Sequence, residues 1–429
     1  MGLVTIGCKY NIFYARCNKF HHFSFLYHVN QFIYIFAHMR ILFIVALSFC
    51  ALIIDYYIYK HISKRWARLL YLCYAVAVDL LIFAFIFIAY RWPFYGIRSI
   101  SPLPLWFAWF FFLNAIPKCV WFLLHWISKC VHRIAIALAL CVAFFLFKGA
   151  LYNTRRFQVK PIVIESSKIP PSFNNYKIAL FSDVHLGNLS RQESFLKRFV
   201  AQVNQYQPDI ILFAGDLVNM YAIEISPEVQ AILSQLQAPD GIFSVLGNHD
   251  MGPYFGKQGQ KIGLTPLGNT AQVVQKEQEM GWRVLYNQSI YIHRNNDSIA
   301  LCGVPYPPSP PIFPDSLTHF DLALATRQLD SAHFNIMLCH TPKVWETMLN
   351  HPALQHIDLT LSGHTHAMQA KITINARQWS PAQWMYKYWS GLYERDGRYL
   401  YVNDGLGYVL YPMRVGTKPE ITLITLRSK

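Results

Sequence analysis

Five short apolar runs after Tyr152 each end in a cluster of polar residues, and that repetition most limits what the chain can fold into. The first, Ile178 to Phe181 and on through Ser182, ends in Asp183-Val184-His185, an alternate spacing that lets both polar side chains point the same way. The next two end in Gly215-Asp216 and in Gly247-Asn248-His249-Asp250. The last two end in Cys339-His340 and in Gly363-His364-Thr365-His366. Carboxylates and imidazoles do not belong in a core without partners. Delivered five times to strand ends, they predict a metal site at the rim of a sheet.

The donor types narrow the chemistry. Asp183, Asp216, Asn248, His185, His340, His364 and His366 offer a carboxylate able to bridge, other oxygen ligands and neutral imidazoles. Two divalent ions about 3.5–4 Å apart could then neutralise a phosphate, lower the pKa of a water and hold nucleophile and phosphate oxygens together. Such sites accept Mn, Fe or Zn, so the residues do not choose the metals. No signal is strong alone: His340 reads more readily as a structural histidine than as a ligand, Gly215-Asp216 as a common turn, and His364-x-His366 equally as a metal pair or as chance. Their order along successive strands is what carries the reading. Ser182 and Ser362 lie in no GxSxG motif and read as turn or supporting residues.

The intervening segments read as an α/β fold. Ser190 with Glu193 resembles a capping box before a helix, Ser226-Pro227 starts another, and strands fall at Ile210 to Ala214 and Ile242 to Leu246. Strand, helix, strand, helix, strand with short joints implies a largely parallel, covered sheet. Phe157 to Ile164 reads as an edge strand and Glu420 to Leu426 as a closing one. Trp282 to His293 and Ser298 to Gly303 read as strands of a second sheet. Asn269-Thr270 and Thr341-Pro342 read as helix caps, and Ala370 to Ile374 with Leu400 to Val402 as returning strands. Pro305 to Pro314 is too proline-dense for a central strand and reads as a stiff loop at the pocket rim.

The chain before Tyr152 is different. It carries 14 of the 38 lysines and arginines but only Asp55 and Asp79 among the 23 acids, so about +12 of the formal +15 sits there. Basic residues flanking apolar runs fit membrane spans and anionic headgroups, whereas a nucleic-acid protein would carry the excess on its folded domain. No nucleic acid and no obligate protein partner are expected; membrane lipids are. Residues 1–38 are weakly patterned, and Met39-Arg40 resembles a chain start, so they read as an over-extended leader or a short interfacial helix. Residues 39–151 form a transmembrane region of about four helices, with apolar runs at Ile41–Tyr59, Leu69–Tyr90, Leu105–Ile127 and Ile134–Phe147. Asn114 and Pro117 interrupt the third, and Asp79 in the second needs a polar neighbour. Residues 152–429 form the catalytic domain. A multi-pass protein of the inner or plasma membrane follows, and the basic residues tilt its catalytic domain towards the cytoplasm. The cysteines form no disulfide framework.

The series Asp183-x-His185, Gly215-Asp216, Gly247-Asn248-His249-Asp250, His340 and Gly363-His364-x-His366 resembles the calcineurin-like metallophosphoesterase superfamily. Ser182-Asp183-Val184-His185-Leu186-Gly187, Asn403-x-Gly405-x-Gly407 and Pro419-Glu420-Ile421 are similar to its membrane-associated bacterial branch. The resemblance runs from about Phe157 to the end. It implies a two-sheet α/β sandwich with a dinuclear site and a metal-bound hydroxide as nucleophile. Asp183, His185 and His366 would bind one ion, Asn248, His340 and His364 the other, and Asp216 would bridge. His249 would contact the phosphate and protonate the leaving oxygen, with Asp250 holding its other nitrogen. A fifth imidazole in the ligand sphere would close the position that substrate and water need, though an extra-ligand role for His249 is the alternative. Ala367-Met368-Gln369 departs from the two glycines and glutamine often found in that branch, which should narrow the space beside the metals.

Enzymes of that branch act on lipid-linked pyrophosphates and phosphates. Here the run Trp379, Trp384, Tyr386, Tyr388, Trp389, Tyr393, Tyr399, interleaved with Lys387, Arg395 and Arg398, reads either as a loop that rests on headgroups or as packing over the sheet. A phosphorylated amphiphile is the expected substrate. A membrane scaffold or sensor with a silent phosphoesterase domain is the alternative.

Overall fold

The run before Asp183 is apolar at consecutive positions, and it is buried on both faces because it lies inside a sheet that is covered on both sides. In a computed structural model, residues 52–91, 103–127, 132–189, 192–252, 254, 263–309, 315–375 and 377–429 are described. The leader at 1–38, the start of the first apolar run and Ser190 of the expected capping box lie outside them.

Two six-stranded sheets face one another. The first has strand order β1 (Gln158–Ser166), β14 (Glu420–Ser428), β2 (Tyr176–Phe181), β3 (Ile210–Phe213), β4 (Ile242–Ser244) and β5 (Arg283–Val284). The second runs β12 (Gly391–Arg395), β13 (Arg398–Val402), β9 (Leu359–Ser362), β8 (Asn335–Leu338), β7 (Asp297–Gly303) and β6 (Gln288–Arg294). The inner faces share one apolar core in which Ile178, Leu180, Leu212 and Val245 meet Leu301, Ile336, Leu338, Leu361 and Tyr401. Outside the first sheet, the helices Gln192–Gln205, Pro227–Leu233 and Pro266–Glu279 cover Phe181, Ile211 and Phe213. This is the expected two-sheet α/β sandwich, and β2, β3, β4, β8 and β9 end at the same rim.

Several local expectations shift. Arg283–Val284 pairs with β4 in the first sheet, so the stretch from Trp282 to His293 is two strands in two different sheets. Residues 370–374 contribute only Ile372–Ile374, as strand β10 of a separate hairpin with β11 (Arg377–Trp379). The helix expected to start at Asn269 starts at Pro266, because the Thr265 hydroxyl accepts the Gly268 N–H; Asn269 is instead buried and accepts the Ala222 N–H at 2.9 Å. Pro342 itself occupies the cap before Lys343–Leu349, without a side-chain hydrogen bond. Ser226 caps as expected, accepting the Val229 N–H at 3.3 Å.

The chain divides into the units Met1–Ile86 and Phe87–Lys429. In the first, residues 52–61 are helical, a helix Arg65–Arg91 begins, and Tyr71 donates its hydroxyl to Asp55. In the second, the helix Leu103–Ile127 carries Pro117 in its interior and packs against the helix His132–Leu151. Among the described residues one helix is long and apolar enough to cross a membrane, Arg133–Arg155, with mean hydropathy 2.4. It contains the run that reads as the shortest of the four, lengthened because the helical path continues past Phe147 through Lys148. Trp109–His125 is a shorter apolar helix.

Candidate metal centre

The strand ends deliver their polar residues through backbone that ordinary residues avoid. Asp183, His185, Asp216, His364 and His366 all have left-handed φ, between 47° and 75°. For a residue with a Cβ this costs roughly 1–2 kcal/mol each, and it persists where surrounding contacts over-determine the loop. Here they do. The Asp183 N–H donates to the Gly215 carbonyl at 2.8 Å, and the Val184 N–H to the Asp216 carbonyl at 2.8 Å. The Asp183 carboxylate accepts the His364 N–H at 2.9 Å, and the Asp216 carboxylate accepts the His249 N–H at 2.8 Å.

All seven expected donors converge. His366 Nε2 lies 3.2 Å from Asp183 Oδ1 and 3.0 Å from His185 Nε2. On the other side, His340 Nε2 lies 3.1 Å from His364 Nδ1, 3.0 Å from Asn248 Oδ1 and 3.2 Å from Asp216 Oδ2. That same Asp216 oxygen is 3.6 Å from His185 Nε2, so it faces both groups. Asp183, His185 and His366 make one triad able to hold a cation, Asp216, His340 and His364 another, and His185, Asp216 and His249 a third that overlaps both. The donor set tests whether cations fit. His340 Nδ1 sits 2.7 Å from the Ala214 carbonyl and donates to it, which turns Nε2 towards the His364 ring nitrogen and the Asp216 carboxylate. Two imidazole nitrogens at that distance need a cation or a shared proton. Carboxylates and neutral imidazoles at such spacing fit divalent metals.

Electrostatics agree with a site built for positive charge. Burial raises the carboxyl groups of Asp183 and Asp216, but the imidazoles beside them, His366 for Asp183 and His340 for Asp216, outweigh it and hold both well below the usual carboxylate range. Burial, then the charge of His340, pushes His364 down to about 3. Burial lowers His340 too, yet Asp216 and Asp183 lift it to about 9.

His249 stands beside these donors, its ring 4.7 Å from that of His185. Its expected partner is wrong. Asp250 does not reach the His249 ring; its carboxylate accepts the N–H groups of Asp216, Leu217, Val218 and Gly247 at 2.7–3.1 Å, which ties the two loops together. His249 Nδ1 instead lies 2.6 Å from the Asn219 carbonyl. That carbonyl is fixed by Glu224, whose buried carboxylate accepts the N–H groups of Gly187, Asn219, Met220 and Tyr221. Sequence reading missed Asn219 and Glu224, since nothing in local spacing marks a carbonyl that will orient a ring 30 residues away.

Two further supports were only partly legible. The Asn403-x-Gly405-x-Gly407 pattern has a steric cause: a Cβ on Gly405, where φ is +77°, would lie 2.9 Å from Asp183 Cβ, and one on Gly407 would overlap the Val184 carbonyl oxygen. Gly407 donates its N–H to the Asp183 carbonyl at 2.7 Å, and Asn403 accepts the Ser182 hydroxyl at 3.1 Å. Arg414, fully buried, donates to the carbonyls of Asp404, Gly405 and Gly407 and reaches within 3.4 Å of His366 Nδ1. The aromatic run splits. Tyr386 places its hydroxyl 2.9 Å from His364 Nε2, Tyr388 and Tyr393 pack with Trp345, Trp389 is buried, and Trp379 and Trp384 stay exposed.

The pattern is shared. Residues 176–368 match the family model of calcineurin-like phosphoesterases. An uncharacterized metallophosphoesterase of Bacillus subtilis, YkuE, is 31% identical over 269 residues, which span 62% of this chain and 84% of that protein. This chain belongs to the calcineurin-like phosphoesterase family. It is a metal-dependent phosphoesterase, of a family that works with divalent ions. A metallophosphoesterase of Helicobacter pylori is 30% identical over 66% of this chain and 68% of its own. A bovine protein, named a transmembrane protein with metallophosphoesterase domain, is 29% identical over 68% of this chain but only 62% of its own length. Within the phosphoesterase site, Ala367-Met368-Gln369 keeps left-handed backbone at every position, with φ of 48°, 44° and 55°. The shape that glycines would favour is retained, while the Met368 side chain lines the cavity and Ala367 is buried against Ala382 and Trp389.

Proposed function

We propose that this phosphoesterase hydrolyses a phosphoester or pyrophosphate bond of a lipid-linked substrate at a membrane surface. The supporting observation is the mixed lining of the site. A cavity of about 230 Å³ has His185, Asp216, Asn248, His249, His364 and His366 in its lining. Met368, Met385, Leu410 and Tyr411 also line it; of these Leu410 is 71% exposed and Met385 64%, and Trp384, next to Met385 in sequence, is 74% exposed. Exposed apolar side chains rimming a phosphate site suit a substrate with an apolar tail and a surface of lipid. The helix Arg133–Arg155 and the relatives named as transmembrane proteins support a membrane setting, with the span count and the four-helix region part of this proposal.

Asp183, His185 and His366 would hold one ion and Asn248, His340 and His364 the other, with the Asp216 carboxylate facing both groups. Bound there, two cations would neutralise phosphate charge and acidify a water. The chain does the rest. Asn219 fixes the His249 ring so that Nε2 faces the cavity, where it can hold a proton for the leaving oxygen. Tyr386 fixes the His364 ring from outside, and the Ala214 carbonyl fixes His340. Met368 and Tyr411 keep water from the flank of the phosphate.

The test is to incubate the full chain in detergent, with Mn²⁺, against a fractionated lipid extract and follow phosphorus-containing species by mass. Loss of one lipid phosphate is the expected result. Hydrolysis of soluble phosphoesters alone would overturn the lipid assignment, and a metal-loaded protein inert to every phosphoester would restore the scaffold alternative.

A further inference from the structure

A second cleft lies on the far side of the segment that walls the phosphoesterase cavity. It has a volume of about 250 Å³ and is lined by Trp106, Thr154, Arg155, Ser194, Phe195 and Arg198. The dividing wall is residues 408–412: Val409, Leu410 and Tyr411 line the phosphoesterase cavity, while Tyr408 and Pro412 line this cleft. None of the five strand-end clusters contributes to it.

Its charge is unbalanced. Arg198 spends Nε on the Ser194 carbonyl at 3.2 Å and Nη1 on the Arg155 carbonyl at 2.9 Å. Among the described residues neither guanidinium forms an ion pair; the neighbouring acid, Glu193, lies 3.9 Å from Lys197 instead. Two arginines without a carboxylate, beside the Ser194 hydroxyl, offer donors to a phosphate through the Arg155 guanidinium and Arg198 Nη2; the Thr154 hydroxyl is given to the Ala150 carbonyl at 2.6 Å. The rest of the lining is largely apolar, with Trp106 and Phe195 beside Ala150, Leu189 and Pro412. Position supplies the ligand class. The helix able to cross a membrane ends on Arg155 itself. In a membrane-spanning chain that residue lies at headgroup depth, where tryptophan also concentrates.

We propose that this cleft binds the phosphate headgroup of an anionic glycerophospholipid, without hydrolysing it. The inference rests on the membrane setting proposed above, and its test is independent of turnover. The phosphate sits between Arg155 and Arg198, and the glycerol and first acyl carbons run along Trp106 and Phe195. Because residues 408–412 separate the two cavities, a bound lipid braces the wall that carries Leu410 and Tyr411.

The experiment measures binding to the detergent-solubilised full chain by calorimetry, with monomeric dihexanoylphosphatidylglycerol, dihexanoylphosphatidylcholine and inorganic phosphate as separate probes. The expected result is at least tenfold tighter binding of the anionic lipid than of the choline lipid, and a tenfold loss of that preference in Arg155→Gln/Arg198→Gln. Hydrolysis of a soluble aryl phosphate should be unchanged in that variant. If the glutamine pair misfolds, Ser194→Asp decides, since it adds a repelling carboxylate on the exposed first part of a helix that tolerates one. Wild-type preference in Ser194→Asp, or in a folded glutamine pair, overturns the site. Equal affinity for inorganic phosphate and the anionic lipid assigns the cleft to free phosphate and overturns the lipid. Release of the chain from membranes by alkaline carbonate, with the lipid preference intact, would sink the membrane setting and leave the site.

Discussion

At the residue scale the site separates ligands from the groups that aim them. Asp216→Asn should release at least one ion and nearly abolish turnover, because one carboxylate oxygen faces both groups of donors. His249→Ala should keep both ions, by elemental analysis, and lower kcat by about 10²–10⁴-fold. Glu224→Gln belongs with the second class: losing charge-assisted bonds to the loop at Asn219 should lower kcat with metal content unchanged. A loss of metal in Glu224→Gln would contradict its role in holding only the loop that orients His249. These distinctions were unevenly legible. The metal donors could be read because each sits at a strand end and all but His340 lie beside a glycine or within two residues of a second donor. Asp250 was misassigned because adjacency in sequence does not give reach: its side chain turns inward to four backbone N–H groups while His249 turns outward.

At the element scale, what matters is how loops behind the site are locked. Lys160 and Lys371 both meet the buried Asp404, and Lys160 also meets Glu420 of β14. Burial raises the Asp404 carboxyl, but Lys160 and then Lys371 outweigh it and bring it down to about 2. Its folded value lies below its ordinary one, so the stabilisation is whole above about pH 4 and is lost as pH falls through 2, a contribution on the order of 2 kcal/mol. Lys371→Met should therefore cost about 3 kcal/mol in chemical denaturation at pH 7, with a smaller difference near pH 2. The loop after His366 makes a separate prediction. Met368→Gly relieves a left-handed residue and opens the flank, so hydrolysis of a bulky aryl phosphonate ester should rise roughly tenfold relative to a small aryl phosphate. A largely parallel first sheet and strands of a second were legible from the alternation of elements, and the sandwich followed from the family resemblance; the hairpin β10–β11 and the split between β5 and β6 were not legible, because two- and three-residue strands carry no period to read.

At the scale of the whole molecule, the apolar part of the second unit is joined to its catalytic sheets by named contacts. Gly149 accepts the Arg414 N–H at 3.1 Å, Asn153 donates to the Arg414 carbonyl at 2.7 Å, and Phe112 packs edge-on to Tyr411. Arg414 in turn reaches His366, so the end of the apolar helix supports the backbone behind a candidate ligand. Gly149→Val would press on the Arg414 carbonyl, 3.0 Å from where a Cβ would stand, and should weaken metal retention in the full chain more than it lowers the melting temperature. The partition of charge and hydropathy made an apolar region legible, but the individual spans were not, since helix length depends on continuation through polar residues such as Lys148.

The central claim is a carboxylate shared by two cations at converging strand ends. Elemental analysis of purified full-length protein loaded with Mn²⁺, set beside Asp216→Asn, tests it most directly. Two ions per chain in the wild type and no more than one in the variant, with turnover lost in step, is the predicted result. A single ion per fully active wild-type chain, or two ions retained in Asp216→Asn with wild-type turnover, would contradict it.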